Sequence, residues 1–374
     1  ENLAAFSNRL VMTCRILSLI GSKDYFAKSY PLGCDQKSAG SCKFDPQFDV
    51  ATMGNRQPGS SFKPFVYATA FKEGYTPDTK LWDVNTEFNP SCSPDGNQEK
   101  DIYGLRCYNP QNYDGQYRGQ VTLRSALQQS LNIPAVELLY LAGINQSLQT
   151  AHDMGITTLN DSSSYGLSLV LGGGEVTLLD MTSAYGVFAT EGEKIPPVSI
   201  LKIMDSSGNI IEENNTQPTK VLDTQVARQI SDVLSDNNAR APIFGYNSPL
   251  YFKGYQVAAK TGTTQRLNDG WTIGYTPFAS LGVWVGNNDN SSTTNEGIGL
   301  AAPIWHKVMQ KLLETHPKQD FTKPEPLQSQ NPVLLGQFPA GDAPHDPEDA
   351  DRAGRRRGHP AVIFLRREPA TCRP

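Results

Sequence analysis

The stretch Arg56–Phe65, RQPGSSFKPF, places two serines and a lysine between a Pro-Gly turn and a further proline. Ser60 and Lys63 stand at i and i+3, so on a helix they share a face. A serine at a helix start lies among unpaired N–H groups at the positive end of the macrodipole, which favours negative charge developing there. A lysine one turn on can take the hydroxyl proton once burial or a neighbouring cation lowers its pKa. The competing reading is an N-cap serine followed by a solvated lysine. The pattern alone is cheap, since Ser199–Lys202 (SILK) also fits it. That second match lies in a strand-like run, where i and i+3 face opposite sides.

Two further signals accompany it. Lys260, Thr261 and Gly262 close an apolar strand-like run, followed by Thr263 and Thr264. Such a strand offers a cation and a hydroxyl to a carboxylate, and its glycine lets a ligand backbone lie close. A sheet-edge lysine before a turn is the bland alternative. Ser130 and Asn132, in SLN, sit at a break between two helical patterns, where both side chains can point into one cleft. Ser207 and Ser235 begin similar triplets, but no second helix restarts behind either.

Other chemistries find less support. The histidines, His152, His306, His316, His345 and His359, lack the context of a general base, and Gly-x-Ser-x-Gly is absent, which argues against a Ser-His-Asp enzyme. No ligand spacing suggests a metal site. The glycines 172–174 are not a Gly-x-Gly-x-x-Gly phosphate loop.

The elements that must position these residues can be outlined. Residues 10–22 read as a strand and 23–59 as polar loop. A helix is expected from Ser60 to Gly74 with Phe62, Phe65, Val66, Thr69 and Ala70 on one face. Residues 75–120 form a long irregular excursion, of a length usually tied to function. Helices are expected from Thr122, after Asn132 up to Gly143, and from about Thr177. A hairpin spans PVSILKIMDSSGNIIEEN, and TQVARQISDVLSDN is helical. YQVAAKTGTT, GWTIGYTP and ASLGVWVGN read as an antiparallel meander, closed by the helix APIWHKVMQKLLETH. Strands at both ends with helices between argue for one mixed sheet covered by helices, not for alternating βα units.

The chain has 374 residues, 38% hydrophobic and 19% charged, with net charge −5, which is ordinary for a globular protein. No basic stripe points to nucleic acid. No apolar run approaches the roughly 20 residues of a membrane span. Cys34 with Cys42, and Cys92 with Cys107, bracket short polar loops, which suggests two local disulfides and an oxidising compartment. Unpaired thiols are the alternative. Beyond about Phe321 the character changes, and GDAPHDPEDADRAGRRRGHP is expected to be a disordered tail.

Taken in order and context, Ser60-x-x-Lys63, Ser130-x-Asn132 and Lys260-Thr261-Gly262 are specific. With RQPGSSFKPFVYA, LRSALQQSLNIPAVEL, LLDMTSAYGVFATEG, AAKTGTT and DGWTIGYTP, the chain resembles the transpeptidase domain of class A, bifunctional penicillin-binding proteins. The resemblance runs from about Arg15 to His316. It implies an α+β fold in which a mostly antiparallel central sheet lies between helical layers beside an all-helical part. The expected division is a transpeptidase domain over residues 1–320 and an extension over 321–374. Residues 1–14 are atypical, lacking the family's Asp-Pro-x-Thr-Gly-like turn.

By this resemblance Ser60 attacks the penultimate D-alanine carbonyl of a peptidoglycan stem peptide and expels the terminal D-alanine. An amine of a second stem peptide then takes the acyl group. Lys63 is the base, and Ser130 with Lys260 relays the proton. Asn132 holds the acyl-side amide. Lys260, Thr261 and Thr263 bind the carboxylate beside Gly262 and Thr264. The N–H groups of Ser60 and Thr263 form the oxyanion hole. β-Lactams are trapped on Ser60, and no cofactor is needed. The expected place is the extracytoplasmic face of the bacterial membrane, although the family's glycosyltransferase domain and membrane anchor are not seen in this sequence. A D,D-carboxypeptidase or serine β-lactamase would use the same residues, and a penicillin-binding sensor is an alternative of another class. The excursion 75–120 favours a cross-linking enzyme that accommodates two peptide strands.

Overall fold

The computed structural model describes residues 15–34, 41–264, 266–293, 297–326 and 331–337. The tail expected to be disordered, residues 1–14 and the bulk of the extension lie outside them.

A sheet of three antiparallel strands organises the site: β7 (Ala258–Thr263), β8 (Asp269–Thr276) and β9 (Ala279–Gly286), in the order β7-β8-β9. The register pairs Lys260 with Ile273 and Gly262 with Trp271. Alternation then sends Trp271, Ile273 and Tyr275 to one face, in the main core with Met181, Tyr185 and Phe188 of α6 (Leu178–Ala189). The other face packs Ala259, Leu281 and Val283 against Trp305 of α9 (Gly297–Thr315). The expected meander and its helical layers are therefore present. The edge strand β7 carries the Lys-Thr-Gly residues.

Against the core face lies α2 (Lys63–Lys72), preceded by a 3-10 turn over Gly59–Phe62. A one-sided apolar face was expected of α2, but every residue from Lys63 to Phe71 is buried. The difference follows from neighbours on all sides: α4 (Ile133–Ala142), α5 (Ile144–Met154) and α7 (Thr224–Leu234) surround it. Phe65 meets Tyr185 edge-on at 5.8 Å, a geometry worth about 0.5–1.5 kcal/mol beyond its buried area.

The capping signals give the expected boundaries. Thr122 caps α3 (Leu123–Gln128) by accepting from Ser125 N–H, and Thr177 caps α6 by accepting from Asp180 N–H. Gly143 ends α4 with φ 85°, a conformation glycine adopts without cost. The ends of the excursion pair as an antiparallel ribbon of β1 (Lys80–Asp83) and β2 (Gly119–Thr122), with irregular chain between them. The hairpin forms as β4 (Lys202–Met204) and β5 (Ile210–Glu213), after the short β3 (Glu193–Lys194), which pairs with β6 (Thr219–Lys220). Both expected disulfides, Cys34–Cys42 and Cys92–Cys107, are present.

Two expectations need correction. The strand over residues 10–22 is reduced, among the described residues, to a parallel bridge between Arg15 and Val198. Neither it nor the hairpin extends the central sheet, so among the described residues the expected single sheet is four separate ones. Pro196 and Pro197 precede Val198 and have no N–H to continue a ladder. Leu17 and Ile20 are exposed and gain nothing from pairing there. The described part of the extension lies on the body: Phe321 packs edge-on to Tyr275 at 5.5 Å, and Thr76 donates to Leu334 O at 2.5 Å.

Candidate active site

The serine-bearing turn is held by backbone contacts that only glycine permits. Gly59 has φ +56°, and a Cβ there would lie 2.5 Å from Thr263 O. A Cβ on Gly262 would lie 2.1 Å from Pro58 O, and one on Gly172 would lie 2.1 Å from Gly59 N. The turn is thus wedged between the edge strand β7 and the turn after Leu167–Leu171. This gives the 172–174 glycines a packing role. Sequence reading tested only phosphate binding there and missed it, because the partner Gly59 is remote in the chain. Trp271 Nε1 donates to Gln57 O at 2.8 Å, and Arg56 and Val176 exchange both backbone bonds at 2.9 Å, fixing the turn from behind.

The two serines are not equivalent. Ser61 is wholly buried and its hydroxyl donates to Pro58 O at 2.6 Å. Tyr185 Oη donates to Ser61 O at 2.6 Å. Ser60 is the partly exposed member of the pair.

Lys63 and Lys260 converge on Ser130 from different elements. Lys63 is wholly buried, and its Nζ donates to Ser130 O at 2.7 Å, Leu131 O at 2.9 Å and Asn132 Oδ1 at 2.8 Å. Lys260 Nζ donates to Ser130 Oγ at 2.8 Å and to Thr261 O at 3.1 Å. Ser130 adopts φ 59°, in the left-handed region that a non-glycine residue enters at a cost. That conformation lets one residue turn its carbonyl to Lys63 and its hydroxyl to Lys260.

Burial, and then the charge of Lys260, hold Lys63 well below the ordinary lysine range. Burial, and then the buried Arg240 guanidinium, bring Lys260 down to about 7. Arg240 donates to Gln128 Oε1 at 3.2 Å and to Leu250 O at 3.1 Å, and also to Leu234 O. Near neutral pH the site can therefore hold a lysine as a free amine beside a hydroxyl, as proton transfer at a serine requires.

On β7, Lys260 and Gly262 lie on the sheet face toward the serine turn, and Thr261 and Thr263 alternate with them. Thr261 is buried, and Thr263 Oγ1 accepts from Gly297 N–H at 3.0 Å, at the start of α9. Thr264 Oγ1 accepts from the N–H groups of Asn268 and Asp269 at 3.0 and 3.1 Å, so it closes the β7–β8 connection. Lys63, Ser130, Asn132 and Lys260 are joined by hydrogen bonds, and the turn that carries Ser60 lies against Gly262, whereas Thr264 is engaged in the β7–β8 turn.

The decoys separate as expected. Ser199 and Lys202 lie on the exposed hairpin region, and Ser207 is in its turn. His306 Nδ1 bonds Pro249 O and stacks on Phe252, and His152 Nε2 bonds Thr158 O, so both are structural.

The family model for the penicillin binding protein transpeptidase domain matches residues 15–310. The chain belongs to that family. The transpeptidase resemblance read from the motifs, and the fold class with it, is borne out. Penicillin-binding protein 1A of Aquifex aeolicus is 34% identical over 281 residues, covering 74% of this chain and 36% of that protein. Penicillin-binding protein 2D of Bacillus subtilis is 32% identical over 321 residues, covering 84% of this chain and 41% of that protein. The chain thus spans about two-fifths of the length of these relatives. Among solved structures, PonA1 of Mycobacterium tuberculosis in complex with penicillin V is similar with TM-score 0.64 and 25% identity, over 76% of each chain. Penicillin-binding protein 1A from Haemophilus influenzae has TM-score 0.64 at 24% identity, over 80% of this chain and 49% of that one, and supports the fold alone. This member of the penicillin-binding family has, among its described residues, no helix long and apolar enough to cross a membrane.

Proposed function

We propose that the chain is a peptidoglycan D,D-transpeptidase domain, formed by residues 1–320 and working outside the cytoplasm. The observation that carries this reading is the convergence of two buried lysines on Ser130, Lys63 on its carbonyl and Lys260 on its hydroxyl. The local disulfides agree with an oxidising compartment.

In the proposed reaction Lys63, as free amine, takes the Ser60 hydroxyl proton while Oγ bonds to the carbonyl carbon of the penultimate D-alanine. The oxyanion is met by the N–H groups of Ser60 and Thr263, whose backbones the Gly59 contact draws together. Collapse breaks the C–N bond. The leaving nitrogen takes the Ser130 hydroxyl proton, and Ser130 is reprotonated from the lysines flanking it. An amine of a second stem peptide then attacks the ester, giving up its proton by the reverse path, and Ser60 regains its hydrogen. Lys260 with Thr261 and Thr263 holds the carboxylate, Gly262 and Thr264 shape the strand beside it, and the second Nδ2 hydrogen of Asn132 takes the acyl-side carbonyl. A β-lactam enters the same first step and remains as an ester because its leaving nitrogen stays tethered.

Fluorescent-penicillin labelling tests this. The chain should be labelled covalently and Ser60→Ala should not. Label persisting in Ser60→Ala, or none in the parent, overturns the reading. Fast release of the label would indicate a β-lactamase, and label without cross-linked product from stem peptides would indicate a sensor.

A further inference from the structure

The Gln111 carbonyl, which can only accept, sets the orientation of the Asn132 amide, and Lys63 donates to its oxygen. Lys63 Nζ faces Oδ1 at 2.8 Å, and main-chain Gln111 O faces Nδ2 at 2.7 Å. The backbone N–H of Asn132 donates to Asn112 Oδ1 at 2.8 Å. Consecutive residues of the excursion therefore hold both the side chain and the main chain of Asn132.

Asn112 is itself fully engaged. Its Nδ2 donates to Asp83 Oδ1 at 2.7 Å and to Gln116 O at 2.8 Å. Asp83 is wholly buried, and its other oxygen accepts from Arg118 N–H at 3.0 Å with the guanidinium at 3.7 Å. Buried polar groups persist where every partner is supplied, and such networks hold a single arrangement. Asp83 ends β1, which packs on α4, the helix that Asn132 opens.

We propose that Asn112, anchored by Asp83, is a positioning residue for Ser60 acylation. It locks the excursion against the Ser130–Asn132 turn, keeping Asn132 Oδ1 on Lys63 and its second Nδ2 hydrogen available to a ligand carbonyl. This rests on the reading of Ser60 as the nucleophile and adds to it the origin of Asn132's orientation.

The test is the rate of acylation by fluorescent penicillin for the whole chain, with thermal melts for each variant. Asn112→Ala should slow acylation roughly 10- to 100-fold, the scale expected when a group near the reacting atoms is displaced. In an Asn132→Ala background the same change should cost less than about twofold, because a residue acting through Asn132 has nothing left to position. Asn89→Ala, which removes a bond from Asn89 Nδ2 to Asp101 Oδ2 elsewhere in the excursion, should leave the rate unchanged. Asp83→Asn, nearly isosteric, reads the same linkage if Asn112→Ala does not fold, and should slow acylation similarly. Acylation within twofold of the parent overturns the proposal. So does an equal loss in the Asn132→Ala background, or an equal loss in Asn89→Ala, since either marks general support of the fold. Label surviving in Ser60→Ala would instead overturn the nucleophile reading, so the two failures are distinguishable.

Discussion

Replacing Lys260 with Met removes one of two buried cations while keeping side-chain length. Lys63 and Lys260 both bond Ser130, one at its carbonyl and one at its hydroxyl, so their ammonium groups are separated by on the order of 5 Å, two hydrogen-bond lengths about one residue. At an effective dielectric constant of about 20, two unit charges at that distance repel by roughly 3 kcal/mol. Both lysines are buried, so solvent screening reduces this little. The charge of Lys260 lowers the Lys63 pKa, and its removal raises it. More of Lys63 is then protonated at a given pH, and the free amine appears only at higher pH. The acid limb of acylation should move upward, whatever the loss in overall rate from weaker carboxylate binding. The assay is the second-order rate of fluorescent-penicillin acylation across pH 5–9 for the parent and Lys260→Met. A limb that stays, moves down or vanishes refutes the reasoning. Its disappearance would mean that the limb reports Lys260 itself.

Ser130→Gly suits the φ of 59° at that position and so isolates the hydroxyl. Acylation should fall by roughly 100-fold or more, the scale of a positioned proton transfer, with the melting temperature little changed. Gly172→Ala sets a Cβ 2.1 Å from Gly59 N at φ +82°. It should destabilise by more than roughly 1–3 kcal/mol in urea titration, and acylation should fall with it because the serine turn shifts. Urea stability should rise from pH 7 to pH 9: unfolded lysines keep protons that folded Lys260, at about 7, and the more depressed Lys63 have lost. Each lysine contributes up to about 1.4 kcal/mol per pH unit, and a flat or falling profile would contradict their depressed pKa values.

The legible features were those with local causes. The Ser60–Lys63 spacing, the caps at Thr122 and Thr177, the stop at Gly143 and the meander all depend on residues close in sequence. Both disulfides close short loops, of separations 8 and 15. What was not legible depends on distant partners. The all-round burial of α2 arises from three helices that surround it, and the apolar face legible in its own window accounts for one side only. Asn112 and Gln111 look like polar loop residues until Asn132, some 20 positions on, supplies their partner. Among the described residues the N-terminal strand is one bridge, because its partner segment begins with prolines, a constraint visible only once the pairing is known.

An ammonium carries three hydrogens, and all three of Lys63 end on acceptors: Ser130 O, Leu131 O and Asn132 Oδ1. Two are main-chain carbonyls held by the fold, and the third is an amide whose nitrogen is itself held by Gln111 O. Losing the proton that makes this lysine a base leaves three acceptors to share two hydrogens, so the fold surrenders one hydrogen bond to gain one lone pair.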